Sequence, residues 1–117
     1  MAPKERTVDG VAVLEVGGRF DAHMAPGVTA WLARVTEQPP GRAVVDLSTA
    51  IFIDSAALSS LVSGMKRCRQ VGGDLHLCGL QGPVQVIFEL TRLHRAFSVY
   101  PSLREAVNAH QAAGGAR

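Results

Sequence analysis

Short apolar runs rich in β-branched residues alternate with segments whose apolar residues recur at helical spacing, and this alternation limits the possible folds more than any other feature. Residues 11–16 and 43–47 are typical of strands. Between them, apolar residues at i, i+3, i+4 and i+7 predict an amphipathic helix over residues 24–38, ended by Pro39-Pro40-Gly41. Strands that alternate with helices of about ten to fifteen residues indicate an α/β domain with a parallel or mixed sheet.

Turn and helix signals continue on both sides of this region. Asp9-Gly10 suits a tight turn that would pair residues 7–8 with the strand that follows. A second helix is predicted to begin after Asp54 and to end at the glycines at 72–73. Its predicted apolar stripe consists of Leu58, Leu61, Val62, Met65 and Cys68. We expect Trp31 and Met65 to be core residues.

The C-terminal half completes the alternation with two strands and two helices. Strands are predicted at residues 75–78 and 97–100, a helix after Pro83, and a last helix opened by the capping box Ser102 to Glu105. We expect one domain over residues 1–110, with a small mixed sheet of four to five strands and about four helices that cover its faces unequally. Residues 111–117 are predicted to form a flexible C-terminal tail.

Charge and hydropathy exclude several functional classes. The 117 residues include 12 basic and 10 acidic side chains without a basic run, so nucleic-acid binding is not expected. No stretch approaches the roughly 20 apolar residues of a membrane span, and the first nine residues lack a signal-peptide core. These features predict a cytoplasmic protein that does not insert into a membrane.

Cysteine and histidine spacing argues against a metal site, a cofactor or nucleophilic catalysis. Cys68 and Cys78 are too far apart for a C-x-x-C motif and are interpreted as small buried hydrophobes. The four histidines show no metal-ligand spacing and belong to no nucleophile motif, so surface positions are predicted for them. They are His23, His76, His94 and His110.

The pair Asp54-Ser55 lies where an apolar segment passes into the second helix, and such junctions often carry function in α/β folds. The first amides of a helix have no internal partner, and the helix dipole adds positive potential there. A phosphate on Ser55 would be favourable at this place. The residues alone leave another interpretation open, since Asp54 or Ser55 could simply cap the helix, which is worth about 1 kcal/mol.

From about Val8 to Val107 the chain resembles a STAS domain, and within that family the bacterial anti-sigma factor antagonists. The resemblance rests on residues 18–23 (GRFDAH), on residues 45–47 and, above all, on Ile53-Asp54-Ser55. Gly72-Gly73 and residues 86–93 extend it. Each match is weak by itself, whereas the set is specific.

The resemblance implies that Ser55 is phosphorylated by an anti-sigma factor serine kinase of GHKL type. The unphosphorylated antagonist would bind this kinase and release the sigma factor, phosphorylation would block binding, and a phosphatase would reset the switch. The chain would then be a kinase substrate and a binding module, without a cofactor, metal or catalytic residue of its own. Partner contacts are predicted at Asp21, Asp54, Ser55, Ala56, Ala57 and Ser59.

The motif departs from the family pattern Asp-Ser-Ser/Thr-Gly at two positions. Ala56 removes a second hydroxyl, so Ser55 has no adjacent rival acceptor. Ala57 replaces a glycine, and its methyl group is predicted to hinder close approach of a partner backbone. Two other functions stay open at this point: a STAS accessory or scaffold subunit of a transporter ATPase or multiprotein sensor, and a small hydrolase that uses Ser55.

Overall fold

The computed structural model describes residues 3–115, with side chains described as far as residue 112. The strands are β1 (Lys4–Val8), β2 (Val11–Glu15), β3 (Gly18–Phe20), β4 (Arg42–Asp46), β5 (Ala50–Ile53), β6 (Asp74–Cys78) and β7 (Ser98–Tyr100). The helices are α1 (Ala25–Thr36), α2 (Ser55–Gln70), α3 (Gly82–Leu90) and α4 (Leu103–Gly115), with a short 3₁₀ turn at Leu93–Arg95. The predicted α/β class, the mixed sheet and the four helices are confirmed within this range.

Five strands form the main sheet in the order β1-β2-β4-β6-β7. Only β1 is antiparallel to its neighbour, and the other pairings are parallel. The antiparallel pair turns at Asp9-Gly10, where φ angles of 50° and 80° match the left-handed conformation that such a hairpin turn requires. The predicted turn is therefore confirmed.

A second, two-stranded sheet was not predicted from the sequence. It pairs β3 with β5 in parallel, with an irregular register between Gly18 and Arg19. The three residues of β3 begin at the second glycine of Gly17-Gly18 and are too few to show a periodicity, and Gly18 has a φ of 67°, so the sequence around β3 has the character of a turn. Both chain segments of the candidate site directly follow the strands of this small sheet.

Three helices cover one face of the main sheet, and α4 covers the other. The larger core joins α1, α2 and α3 to inward residues of the strands such as Leu14, Val45 and Leu77, and it includes Trp31 and Met65 as predicted. Alternate strand residues face the opposite way and pack with α4 in a second core. That second core consists of Val11, Val13, Val44, Cys78, Ala106 and Val107. The two faces of the sheet are therefore covered unequally.

The buried stripe of α2 differs in part from the predicted one. Leu61, Met65 and Cys68 are buried as expected, whereas Leu58 and Val62 are only partly covered. Small residues take their place, because α1 and α2 pack closely. A Cβ at Gly64 would lie 2.2 Å from Leu32 Cδ1. The stripe therefore continues through residues too small to give a hydrophobic signal, which are Ala57, Ser60 and Gly64.

Two of the four histidines are buried, contrary to the prediction of surface positions. The imidazoles of His76 on β6 and His110 on α4 stack with centroids 3.6 Å apart and ring planes 9° from parallel. His76 Nδ1 lies 3.0 Å from Ala106 O, and His110 Nε2 lies 2.9 Å from Ala43 O. The stack joins α4 to the sheet, and its imidazoles are buried because the backbone carbonyls accept their N–H groups.

The last helix extends beyond the predicted domain boundary. Glu105 N donates to Ser102 Oγ over 3.2 Å, so the predicted cap of α4 is present. The helix continues to Gly115, and the part of the predicted tail at residues 111–115 is therefore helical, while residues 116–117 lie outside the described range. Among the described residues, no helix has both the length and the apolar character needed to cross a bilayer.

Candidate functional site

Two chain segments meet at the start of α2 because β3 and β5 run parallel and end side by side. Phe20 pairs with Ile53 in the small sheet, so Asp21 and Asp54 follow at the same edge. The amide of Asp54 donates to Phe20 O over 3.2 Å and extends the pairing by one residue. Asp21 and Ser55, separated by 34 positions in sequence, thereby belong to one surface.

The carboxylate of Asp54 holds this surface together. Asp54 is the N-cap of α2, and its Oδ1 accepts the Ala57 amide over 2.9 Å. Its Oδ2 accepts the Ala22 amide, also over 2.9 Å, across the gap to the loop after β3. One side chain therefore satisfies an orphan amide of the helix and fixes the neighbouring loop, and Ser55 is not needed for either task.

Asp21 shapes the loop that Asp54 holds. Its Oδ1 accepts the amides of His23 and Met24, over 3.1 and 3.4 Å, and its backbone carbonyl accepts the amide of Ala25 over 2.9 Å. The side chain is 29% exposed. Asp21 thus has a structural role as well as a surface position, and its negative charge is partly satisfied by backbone amides.

Ser55 is the first residue of α2 and is exposed to solvent. Within residues 3–112, the Ser55 hydroxyl neither donates nor accepts a hydrogen bond. Its Oγ lies at the N-terminal end of a 16-residue helix, where the helix dipole is positive. Ser59, one turn further along, is also exposed, while Ala56 is half-buried. These three predicted contact positions lie on one side of the helix start.

Ala57 does not belong to that surface, and the prediction that its methyl group hinders a partner is wrong. The residue is 0% exposed and packs in the larger core. Its side chain points inward because it follows Ser55 by two residues on a helix, a rotation of about 200° from the exposed side. Only its amide takes part in the site, as the hydrogen-bond donor to Asp54.

Arg19 and Phe52 are site neighbours that sequence reasoning missed. The Arg19 guanidinium carbon lies 4.1 Å from the centroid of the Phe52 ring, and Arg19 Nε lies 3.9 Å from Asp21 Oδ2. Their pairing across β3 and β5 brings them together, and no sequence signal for that sheet was available. A cation on the strand that leads into Asp21 changes the charge pattern of this surface.

The polar groups described at the start of α2 are the carboxylates of Asp21 and Asp54, the amides that they accept and the Ser55 hydroxyl. In the described part of the chain no histidine nitrogen is hydrogen-bonded to Ser55, and no group of three side chains is arranged to hold a metal ion. The cysteines lie elsewhere, since Cys68 is in the larger core and Cys78 in the smaller one. Burial raises the pKa of Cys68 to about 11, and burial together with Asp46 raises that of Cys78 to about 12.

Comparison with known proteins assigns this chain to a family. The family model of the STAS domain matches residues 2–106. A protein of Bordetella bronchiseptica assigned as an anti-sigma factor antagonist is 31% identical over 106 residues, which is 91% of each chain. The anti-sigma-B factor antagonist of Listeria monocytogenes is 34% identical over 91 residues, covering 77% of this chain and 78% of the relative. The chain therefore belongs to the STAS domain family.

Solved structures agree with this assignment. The crystal structure of an anti-sigma factor antagonist from Mycobacterium paratuberculosis superimposes with a TM-score of 0.81 and 29% sequence identity. The match covers 94% of this chain and 93% of that one. The resemblance to this family that the sequence motifs indicated is confirmed over almost the whole domain.

Proposed function

We propose that this chain is an anti-sigma factor antagonist whose binding to a serine kinase is switched by phosphorylation of Ser55. The unphosphorylated form binds the kinase, which is also the anti-sigma factor, and thereby releases the sigma factor. The relatives named as antagonists support the class of function, and the geometry around Ser55 supports the switch. A cytoplasmic location and resetting by a phosphatase are parts of the same proposal.

The main support for the proposal is that Asp54 and Ser55 have separate roles. Asp54 caps α2 and fixes the loop at Ala22, so a modification of Ser55 removes neither contact. An exposed hydroxyl at the first position of a helix is accessible to a kinase, and the helix dipole favours the added negative charge. The domain therefore tolerates the phosphate, and the consequence of phosphorylation falls on the partner.

The transfer requires catalytic groups that the kinase supplies. Ser55 Oγ attacks the γ-phosphorus of ATP, the bond to the ADP oxygen breaks, and the hydroxyl proton passes to a base in the partner. Magnesium and nucleotide belong to the partner's active site. This chain contributes a positioned acceptor and the surface that docks it.

Electrostatic repulsion explains how the phosphate ends binding. Phosphorylation adds roughly −1.5 to −2 charges. Against an anionic group of the partner at about 4 Å, each unit of charge costs about 4 kcal/mol at a surface-like dielectric. Half of that value, about 2 kcal/mol, weakens binding more than tenfold because about 1.4 kcal/mol corresponds to a factor of ten.

Incubation with each purified anti-sigma factor kinase of the source organism and Mg-ATP tests the proposal. We expect mass spectrometry to locate one phosphate on Ser55. Calorimetry should show that Ser55→Ala retains affinity for the kinase and that Ser55→Asp loses more than tenfold. Ser63→Asp is the matched control, since Ser63 is also exposed on α2 but two turns from Ser55. Wild-type binding by both Ser55 variants would contradict the charge switch.

A further inference from the structure

Two contacts constrain the side chain of Arg19 on β3, the strand that leads into Asp21. Its guanidinium stacks on the Phe52 ring at 4.1 Å, and its Nε approaches Asp21 at 3.9 Å. A planar guanidinium on an aromatic face has lost much of the freedom of a surface arginine. These two contacts favour one orientation of the Arg19 side chain.

The outward side of this guanidinium remains available. The side chain is 64% exposed, and its two Nη nitrogens donate no hydrogen bond within the described part of the chain. A groove of about 590 Å³ runs along Arg19, Asp21, His23 and Met24 towards Pro3. One Asp21 oxygen already accepts backbone amides and the other approaches Arg19, so the Nη nitrogens are left as the charged donors that face the groove.

We infer that Arg19 is a specificity-determining contact that receives a carboxylate side chain of the kinase partner. The inference rests on the proposed function and adds the charge that the partner must present. A guanidinium with free Nη donors in a fixed orientation matches the two oxygens of a carboxylate. A kinase with a basic residue at this place is rejected, because like charges at an interface oppose binding.

The position of Arg19 in the fold supports this role. It lies on β3, whose last residue Phe20 pairs with Ile53 just before Asp54 and Ser55. A partner that places its nucleotide at Ser55 therefore covers the neighbouring strand as well.

The test compares charge variants against the kinase that phosphorylates Ser55. We expect Arg19→Ala to weaken binding about fivefold and Arg19→Glu tenfold or more, about what an exposed ion pair and its reversal contribute. Phe52→Leu keeps the charge but removes the aromatic face, and about threefold weaker binding is expected. High salt should reduce the difference between Arg19→Glu and wild type.

Arg104→Glu is the matched control, because Arg104 is exposed on α4 at the opposite face of the main sheet and the change in net charge is the same. Equal losses for the two reversals would overturn the Arg19 contact in favour of general charge attraction. Wild-type affinity of Arg19→Glu would overturn it while leaving the Ser55 switch intact. Failure of every kinase to bind the wild-type chain would overturn both proposals.

Discussion

Replacing His110 by glutamine is expected to remove most of the loss of stability that mild acid causes in this domain. His110 is 3% exposed, stacks on His76 and donates from Nε2 to Ala43 O. Burial lowers the pKa of His110 from 6.5 to about 4; His76 and Arg42 add to this effect, and the Ala43 hydrogen bond and Asp74 oppose it. The folded state therefore holds this imidazole neutral at pH values where the unfolded chain protonates it.

The sign and size of the effect follow from proton linkage. Since the folded pKa lies below the unfolded one, stability is complete above pH 6.5 and falls as the pH decreases towards 4. At about 1.4 kcal/mol per factor of ten in proton affinity, the full effect is about 3 kcal/mol. Between about pH 7.5 and about pH 5.0, the two pKa values predict a loss of about 2 kcal/mol.

Urea denaturation of wild type and His110→Gln at these two pH values measures the effect. Glutamine retains an N–H donor for Ala43 O and does not titrate. We expect the wild-type midpoint to fall by about 1 M on acidification, given a slope of roughly 1–3 kcal/mol/M. The variant starts from lower stability because it lacks the stacked ring, yet its midpoint should change much less with pH.

His23→Gln is the control, because His23 is exposed in the loop after β3. This variant should keep the pH dependence of the wild type. An equally large acid loss in His110→Gln and wild type would refute the argument, since the protons would then be taken up elsewhere. A pH-independent wild type would refute it as well.

Other variants test the packing, the cap and the thiols. In the urea denaturation assay, Gly64→Ala should lower the free energy of unfolding by about 1–3 kcal/mol, because its Cβ would clash with buried Leu32. Gly27→Ala is the control, since there is open space around its Cβ, and it should stabilise α1 by up to about 1 kcal/mol. Asp54→Ala should cost about 1–2 kcal/mol and increase amide exchange at Ala22, and unchanged exchange there would contradict the bridge between loop and helix. Both cysteine thiols, with pKa values raised by burial, should resist iodoacetamide at pH 8 until urea unfolds the chain, and rapid native labelling would contradict their burial.

The fold was predictable where hydrophobic periodicity and turn chemistry agree. The strand at 43–47 has the continuous apolar run of a central parallel strand, and Asp9-Gly10 has the conformational freedom that its hairpin turn requires. The small β3–β5 sheet lacks both signals, because its strands have three and four residues and pair across an irregular register. The pairing of β3 with β5 depends on tertiary packing, which local sequence patterns do not predict.

The buried histidines show a second limit of the same kind. Histidine is a polar residue, so the sequence alone favours an exposed position. His76 and His110 can be buried because backbone carbonyl oxygens accept their ring N–H groups. Those acceptors come from α4 and β4, elements far apart in sequence from the rings that they bind. Burial of a polar side chain is therefore a property of the assembled interface and was not visible in the spacing of the residues.

At the site, the sequence identified the residues but could not divide their roles. Asp54 and Ser55 are both good helix caps, and their order alone leaves open which one the helix uses. In the fold, Asp54 accepts the amides of Ala57 and Ala22, and Ser55 is exposed with a hydroxyl that makes no hydrogen bond within residues 3–112. The same geometry places Ala57 in the core, so the two departures from the family motif have different consequences. Ala56 changes the surface near Ser55, whereas Ala57 changes the packing beneath it.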